Sequence, residues 1–209
     1  MNFASGHGER LEWAVASLAL AGEARSGDLH FVTEGEWGGL AAVVDGVGHG
    51  EEATAAAQAA VAQLQAHARE PVTALMQRCH QALKSTRGAV ITAVSFSPED
   101  STATGVGVGN VEAVLLHARA AAEPKTESVL LRGGVVGSHL PPLQANMFSI
   151  DYGDVLIFST DGVRPGFTGG LSLGVPIRAM AERILKDYAR GNDDALVLAV
   201  RYLGRQSRG

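Results

Sequence analysis

Four places in the chain put an aspartate where an apolar run begins or ends. Asp28 follows Ser26-Gly27 and precedes an apolar stretch; Asp45 closes AAVV and precedes Gly46. Asp161 closes VLIFST and precedes Gly162, and Asp193-Asp194 lead into ALVLAV. Taken singly, an Asp beside a Gly is a turn device, because both residues favour turns for local reasons. Taken together, the four suggest more. A carboxylate at the end of a buried strand is rigidly aimed, and the neighbouring glycine lets other atoms come close to the backbone. Converging carboxylates repel one another unless cations sit between them. An all-oxygen set selects hard cations such as Mg²⁺ or Mn²⁺, and no thiol or imidazole cluster suits zinc.

The loop after Asp45, GVGHG, raises the alternative of direct phosphate binding. A dinucleotide site needs a bare glycine turn whose amides and helix dipole face the pyrophosphate. Here Asp45 would set negative charge against it. The spacing is Gly-x-Gly-x-Gly, not Gly-x-Gly-x-x-Gly, and no acid lies near residue 65 to bind a ribose. The loop therefore reads as one that holds a metal that holds a phosphate. GVGVGN, 105–110, lies between strands and opens no helix.

The elements that must position these acids follow from periodicity. Residues 12–21, 29–33 and 39–45 predict strands, the last two joined by a hairpin. Residues 51–69 carry Ala53, Ala57, Ala60 and Leu64 at helical spacing, with Glu51 and Glu52 favouring the helix dipole in the first turn. Pro71 opens a second helix with the stripe Val72, Leu75, Met76, Cys79 and Leu83; its short link to the first predicts antiparallel packing. Strands are expected at 89–97, 102–108, 111–117, 128–132, 147–150, 154–159 and 195–200, and a third helix at 177–189. Clustered strands with few helices indicate an α+β layered fold, with residues 1–209 as one domain.

Bulk properties exclude several classes. The 209 residues are 46% hydrophobic and 19% charged, which is a globular and not a disordered composition. A net charge of −5 with scattered basic residues argues against nucleic-acid binding. No apolar run approaches the ~20 residues of a membrane span. The N-terminus lacks the basic and apolar regions of a signal peptide. The single cysteine, Cys79, reads as a small buried residue and allows no intrachain disulfide. The expected location is the cytoplasm, with no membrane partner and an open oligomeric state.

At the level of motifs, VVDGVGHG and LIFSTDGV resemble the two Asp-Gly signatures of the PPM-type metal-dependent Ser/Thr protein phosphatases. SGD at 26–28 and NDDALVLAVR at 192–201 are similar to that family's first and last acidic motifs, and all four occur in order. The DGxGHG form resembles the compact bacterial branch of sporulation and stress-response phosphatases. The resemblance implies a four-layer αββα sandwich. It also implies removal of phosphate from Ser or Thr of stressosome proteins of the STAS-domain type, by attack of a metal-activated water with two Mn²⁺ or Mg²⁺ ions. A phosphorylated anti-sigma-factor antagonist as substrate, or a non-catalytic metal-binding scaffold, are the alternatives.

Carried over residue by residue, Asp45 bridges the two ions and the Gly46 carbonyl touches one. Asp28 contributes to the same centre. Asp161 and Asp193 each supply a ligand, and Asp194 has an orienting role. His49 is the candidate general acid or, alternatively, a brace for the loop. Asn110 orients a ligand or water, or is a plain turn residue. Many relatives grip the phosphate with an early arginine, for which Arg10 and Arg25 are candidates by position. His67 and His80 read as helix residues that are either solvated or locally hydrogen-bonded.

Overall fold

The computed structural model of the chain describes residues 1–23, 25–119, 122 and 124–204. The elements in order are β1 (Asn2–His7), β2 (Leu11–Leu18), β3 (Asp28–Gly35), β4 (Gly38–Gly46), α1 (Gly50–Ala66), α2 (Val72–Ala82), β5 (Ala89–Ser97), β6 (Thr102–Val108) and β7 (Glu112–Leu116). They continue with β8 (Thr126–Ser128), β9 (Leu131–Arg132), β10 (Asn146–Ser149), β11 (Val155–Ser159), α3 (Ile177–Tyr188) and β12 (Ala195–Tyr202). One sheet has the order β1-β2-β12-β11-β7-β8. The other has β10-β6-β5-β4-β3, with β9 parallel to β6.

The apolar runs legible in the sequence are strands buried on both faces. In β4, Ala41 and Val43 face the other sheet, while Leu40, Ala42 and Val44 face α1 and α2. In β12, Leu196, Leu198 and Val200 enter the inter-sheet core, and Ala195, Val197 and Ala199 pack under α3. Three cores therefore separate four layers: α1 and α2, the β4 sheet, the β12 sheet, and α3. The alanine face of α1 lets that helix lie close on the sheet. The stripe of α2 (Val72, Leu75, Met76, Cys79) is buried beside it, with Leu83 just beyond. Cys79 donates to the Ala60 carbonyl at 3.7 Å, and burial pushes its thiol up to about 12, so it is an inert packing residue.

Two features differ from expectation. Residues 2–7 form β1, an exposed edge strand antiparallel to β2. Its sequence, NFASGH, has no period-2 apolar pattern because it packs little; the Arg178 guanidinium lies 5.4 Å over the Phe3 ring. The single strand expected at 128–132 is two short ones in different sheets. The chain crosses between the sheets at Val129-Leu130. There Asn146 Oδ1 accepts from Leu130 N, and its Nδ2 donates to the Ser128 carbonyl. A side chain 16 residues away thus decides what the local pattern leaves open. Among the described residues, no helix is long and apolar enough to cross a membrane.

Candidate metal centre

The four acidic motifs meet at one end of the sandwich. Asp28 opens β3, and Asp45 lies directly opposite it near the end of β4, as cross-strand partners. From the other sheet come Asp161, two residues past β11, and Asp193, two residues before β12. Asp28, Asp45, Val47, Gly48, His49, Val90, Asn110, Asp161 and Asp193 line a cleft of about 290 Å³. The acids grade outward: Asp28 is buried, Asp45 half-buried, and Asp161 and Asp193 are exposed at the mouth.

Local sequence explains how each is held. Gly46 cannot carry a side chain, because a Cβ would stand 2.1 Å from the Ala53 carbonyl oxygen; at Gly162 it would stand 1.9 Å from that of Asp194. Both Asp-Gly pairs therefore press their backbones against a neighbour. Gly48 and Gly50 take φ of +90° and +76°, which swings the chain from β4 into α1. Gly46 N–H donates to the Gly27 carbonyl, which ties the first acidic loop to the second.

Hydrogen bonds orient the carboxylates. Asn110 Nδ2 donates to Asp161 Oδ2 at 2.9 Å, and Arg190 Nε donates to the Asp161 carbonyl at 2.8 Å. Thr160 Oγ1 donates to Asp28 Oδ2 at 2.8 Å and accepts from Leu196 N at 2.9 Å. The two acids of the last motif divide: Asp193 lines the cleft, whereas buried Asp194 turns inward. Asp194 accepts from Leu20 N at 2.7 Å and Gly27 N at 2.6 Å, so it braces the loop that carries Asp28.

The electrostatics are those of crowded, partly buried acids. Burial, then the charges of Asp161, Asp193 and Asp194, push Asp45 up to about 7, against a hydrogen bond with Asp28. Burial, then Asp45, raises Asp28 well above the carboxylate range, against the bond from Thr160. Among the described residues, no three His, Cys, Asp or Glu side chains close into a ligand cage of their own. The carboxylates instead stand around an open cleft. Such an all-oxygen, acid-rich and incomplete donor set fits hard divalent ions that keep part of their water.

His49 is the N-cap residue of α1, with its side chain 64% exposed and Nδ1 2.7 Å from Glu23 Oε1. Arg25 is exposed on the loop before Gly27. Arg10 is at the wrong end: β2 meets the Asp194 end of β12 at Leu18, and Arg10 precedes Leu11 at the other end. Eight strand residues separate the two by roughly 25 Å. His67 Nδ1 pairs with Glu70, three residues on, at 3.2 Å, whereas His80 Nδ1 accepts at 3.0 Å from Gly137 N, 57 residues away.

Three residues at the site have no role in the motif reading: Thr160, which sits inside LIFSTDGV, and Glu23 and Arg190, which lie outside every motif. Thr160 leaves a trace in the sequence, as a hydroxyl closing a fully buried apolar run. Glu23 and Arg190 leave none.

Residues 37–203 match the stage II sporulation protein E (SpoIIE) family. The phosphoserine phosphatase RsbX of Bacillus subtilis (strain 168) is 27% identical over 191 residues, covering 90% of this chain and 92% of that protein. A solved structure from a bacterial stressosome system adapted to control secondary messenger signaling is 28% identical, with a TM-score of 0.83, covering 92% of this chain and 100% of that one. RsbX in complex with magnesium is 23% identical, with a TM-score of 0.84, covering 96% of this chain and 100% of that one.

Proposed function

The chain belongs to the SpoIIE family, and on that premise we propose that it is a metal-dependent phosphatase of phosphoserine or phosphothreonine on bacterial stressosome proteins. The observation that carries this reading is the cleft itself. Four aspartates from both sheets crowd it, and burial and the neighbouring carboxylates push Asp45 up to about 7. We assign two Mn²⁺ or Mg²⁺ ions to Asp28, Asp45, the Gly46 carbonyl, Asp161 and Asp193. Bound there, the ions supply a water of lowered pKa and neutralise phosphate charge.

The chain's own residues do the rest. Asp161 and Asp193 stand at the mouth, where a phosphate on a folded partner can reach them. Asn110 fixes one Asp161 oxygen and leaves the other to the cleft. Asp194 keeps the Asp28 loop seated. Glu23 engages His49 Nδ1, so in the imidazolium form Nε2–H is the group free to hand a proton to the departing alkoxide. The substrate is a phosphorylated STAS-domain type protein read over a surface, by one domain spanning residues 1–209 acting in the cytoplasm. Remote contacts of that surface position the phosphate, so small phosphoesters are poor substrates.

The test is phosphate release from a folded phosphoserine stressosome protein. Release is expected with Mn²⁺, none with EDTA, and recovery on adding metal back. A peptide spanning the same phosphosite is expected to lose most of kcat/KM. Undiminished turnover with metal removed would end the metal-dependent reading. Equal efficiency on peptide and protein would end surface recognition.

A further inference from the structure

Thr160, one residue past β11, is a buried side chain that joins the two sheets beneath the acids. It lies 132 residues from Asp28 in sequence and on the other sheet, and both residues are buried. A hydroxyl has one proton to give and two lone pairs to accept with. Leu196 N–H occupies a lone pair at 2.9 Å, which sets the rotor, and the proton goes to Asp28 Oδ2 at 2.8 Å. The branched Cβ of threonine restricts χ1 further. Asp28 in turn lies directly opposite Asp45, its cross-strand partner. The hydrogen bonds Leu196–Thr160–Asp28 therefore run from the backbone of one sheet to the buried acid of the other, which stands opposite Asp45.

We propose that Thr160 is a positioning residue of the metal centre, holding the Asp28 carboxylate in place for the ions through its hydroxyl. The inference rests on the metal-dependent reading of the cleft and adds to it a residue outside the acidic set. Without the hydroxyl, Asp28 loses the side chain that ties it to the opposite sheet, and the Leu196 amide loses its acceptor. Groups that orient a ligand are typically worth 10–100-fold in metal affinity.

The test is calorimetric titration of Mn²⁺ into the intact protein, with no substrate present. Thr160→Val keeps the shape and removes the hydroxyl; its Mn²⁺ affinity is expected to fall roughly 10–100-fold. Thr160→Ser keeps the hydroxyl and is expected to stay within about threefold of the unmodified chain, well inside that loss. In an Asp28→Asn background, Thr160→Val is expected to have little further effect, because Thr160 acts through Asp28. With phosphoprotein substrate, the Thr160→Val defect is expected in the Mn²⁺ concentration needed for half-maximal rate, with kcat largely recovered at saturating metal. Should Thr160→Val not fold, Thr160→Ala is read in the same titration. Unchanged Mn²⁺ affinity in a folded hydroxyl-less variant would overturn the proposal, as would equal losses in the Val and Ser variants. If the unmodified chain bound no Mn²⁺ at all, the metal reading of the cleft would fall first, and this proposal with it.

Discussion

The sandwich holds buried carboxylates in two regions, and they are handled in opposite ways. At the cleft, burial and the neighbouring acids raise Asp28 and drive Asp45 up to about 7. Beyond the other end of β7, Asp154 is fully buried, yet its oxygens are well supplied. Oδ2 is 2.9 Å from His117 Nδ1 and accepts from Asp151 N, while Oδ1 accepts from Ala118 N at 2.7 Å. The other nitrogen of His117 sits 3.0 Å from Glu127 on β8. Burial alone would lower the His117 pKa, but its bonds to Glu127 and Asp154 outweigh that and raise it. A structural acid in a protein interior comes with its partners. The cleft acids have partners too, Thr160 on Asp28 and Asn110 on Asp161, but they also repel one another.

Breaking one member of each cluster should separate the two. Asp45→Asn or Asp161→Asn removes a ligand charge at nearly constant size and should lower phosphate release by roughly 10³-fold or more, the scale of several kcal/mol of charge stabilisation. Circular dichroism should show the fold retained. Near-normal turnover in either variant would remove that residue from the site. Asp154→Ala should do the reverse. It strands His117 beside Glu127 and leaves the Ala118 and Asp151 amides without their acceptor, so denaturant titration should show a loss of about 3–5 kcal/mol. Turnover below the melting range should persist.

The response to pH sharpens the contrast. In EDTA, Asp45 holds a proton in the folded chain up to about 7 that the unfolded chain releases near 3.8. A raised acid pKa gives stability at low pH that is lost as pH rises through that window, so the melting temperature should fall between about pH 4 and pH 7. With saturating Mn²⁺ the slope should reverse, because the ions bind the deprotonated acids. A melting temperature with the same pH slope in EDTA and Mn²⁺ would contradict the cleft assignment. His117, raised above 6.5, also contributes stability that is present below 6.5 and lost as pH climbs through its folded value. That loss lies at higher pH and should be indifferent to Mn²⁺. The smallest effect should come from Glu127→Gln. Glu127 is 32% exposed, so its pair with His117 is worth no more than about 1 kcal/mol by thermal melts.

The cleft was far more legible in the sequence than the clasp around His117. Asp45-Gly46 and Asp161-Gly162 announce themselves because each closes an apolar run, and the glycine has a local steric cause. The chain also shows why Asp193 and Asp194 part company. Alternate residues at the entry to a strand point to opposite sides, so one meets the cleft and the other the loop at Gly27. His117, Glu127 and Asp154 sit in unremarkable surroundings with no shared spacing. Their meeting depends on β7 pairing with β8 and β11, and pairing partners are long-range choices. The same reason hid β1, whose exposed edge needs no apolar alternation, and the split of 128–132 between two sheets.

By itself, then, the sequence determined the order of strands and helices apart from β1 and the β8–β9 split, the doubly buried runs of β4, β11 and β12, and the acids that end them. These follow from burial and backbone preference, which neighbouring residues encode. Only the tertiary structure decided the rest. Strand register set Asp28 opposite Asp45, and stacking of the two sheets brought Asp161 and Asp193 over them. The same stacking put the hydroxyl of Thr160 on Asp28. It also left Arg10 at the far end of β2, because distance along a strand, unlike nearness in sequence to a motif, is fixed by where the strand's partner lies.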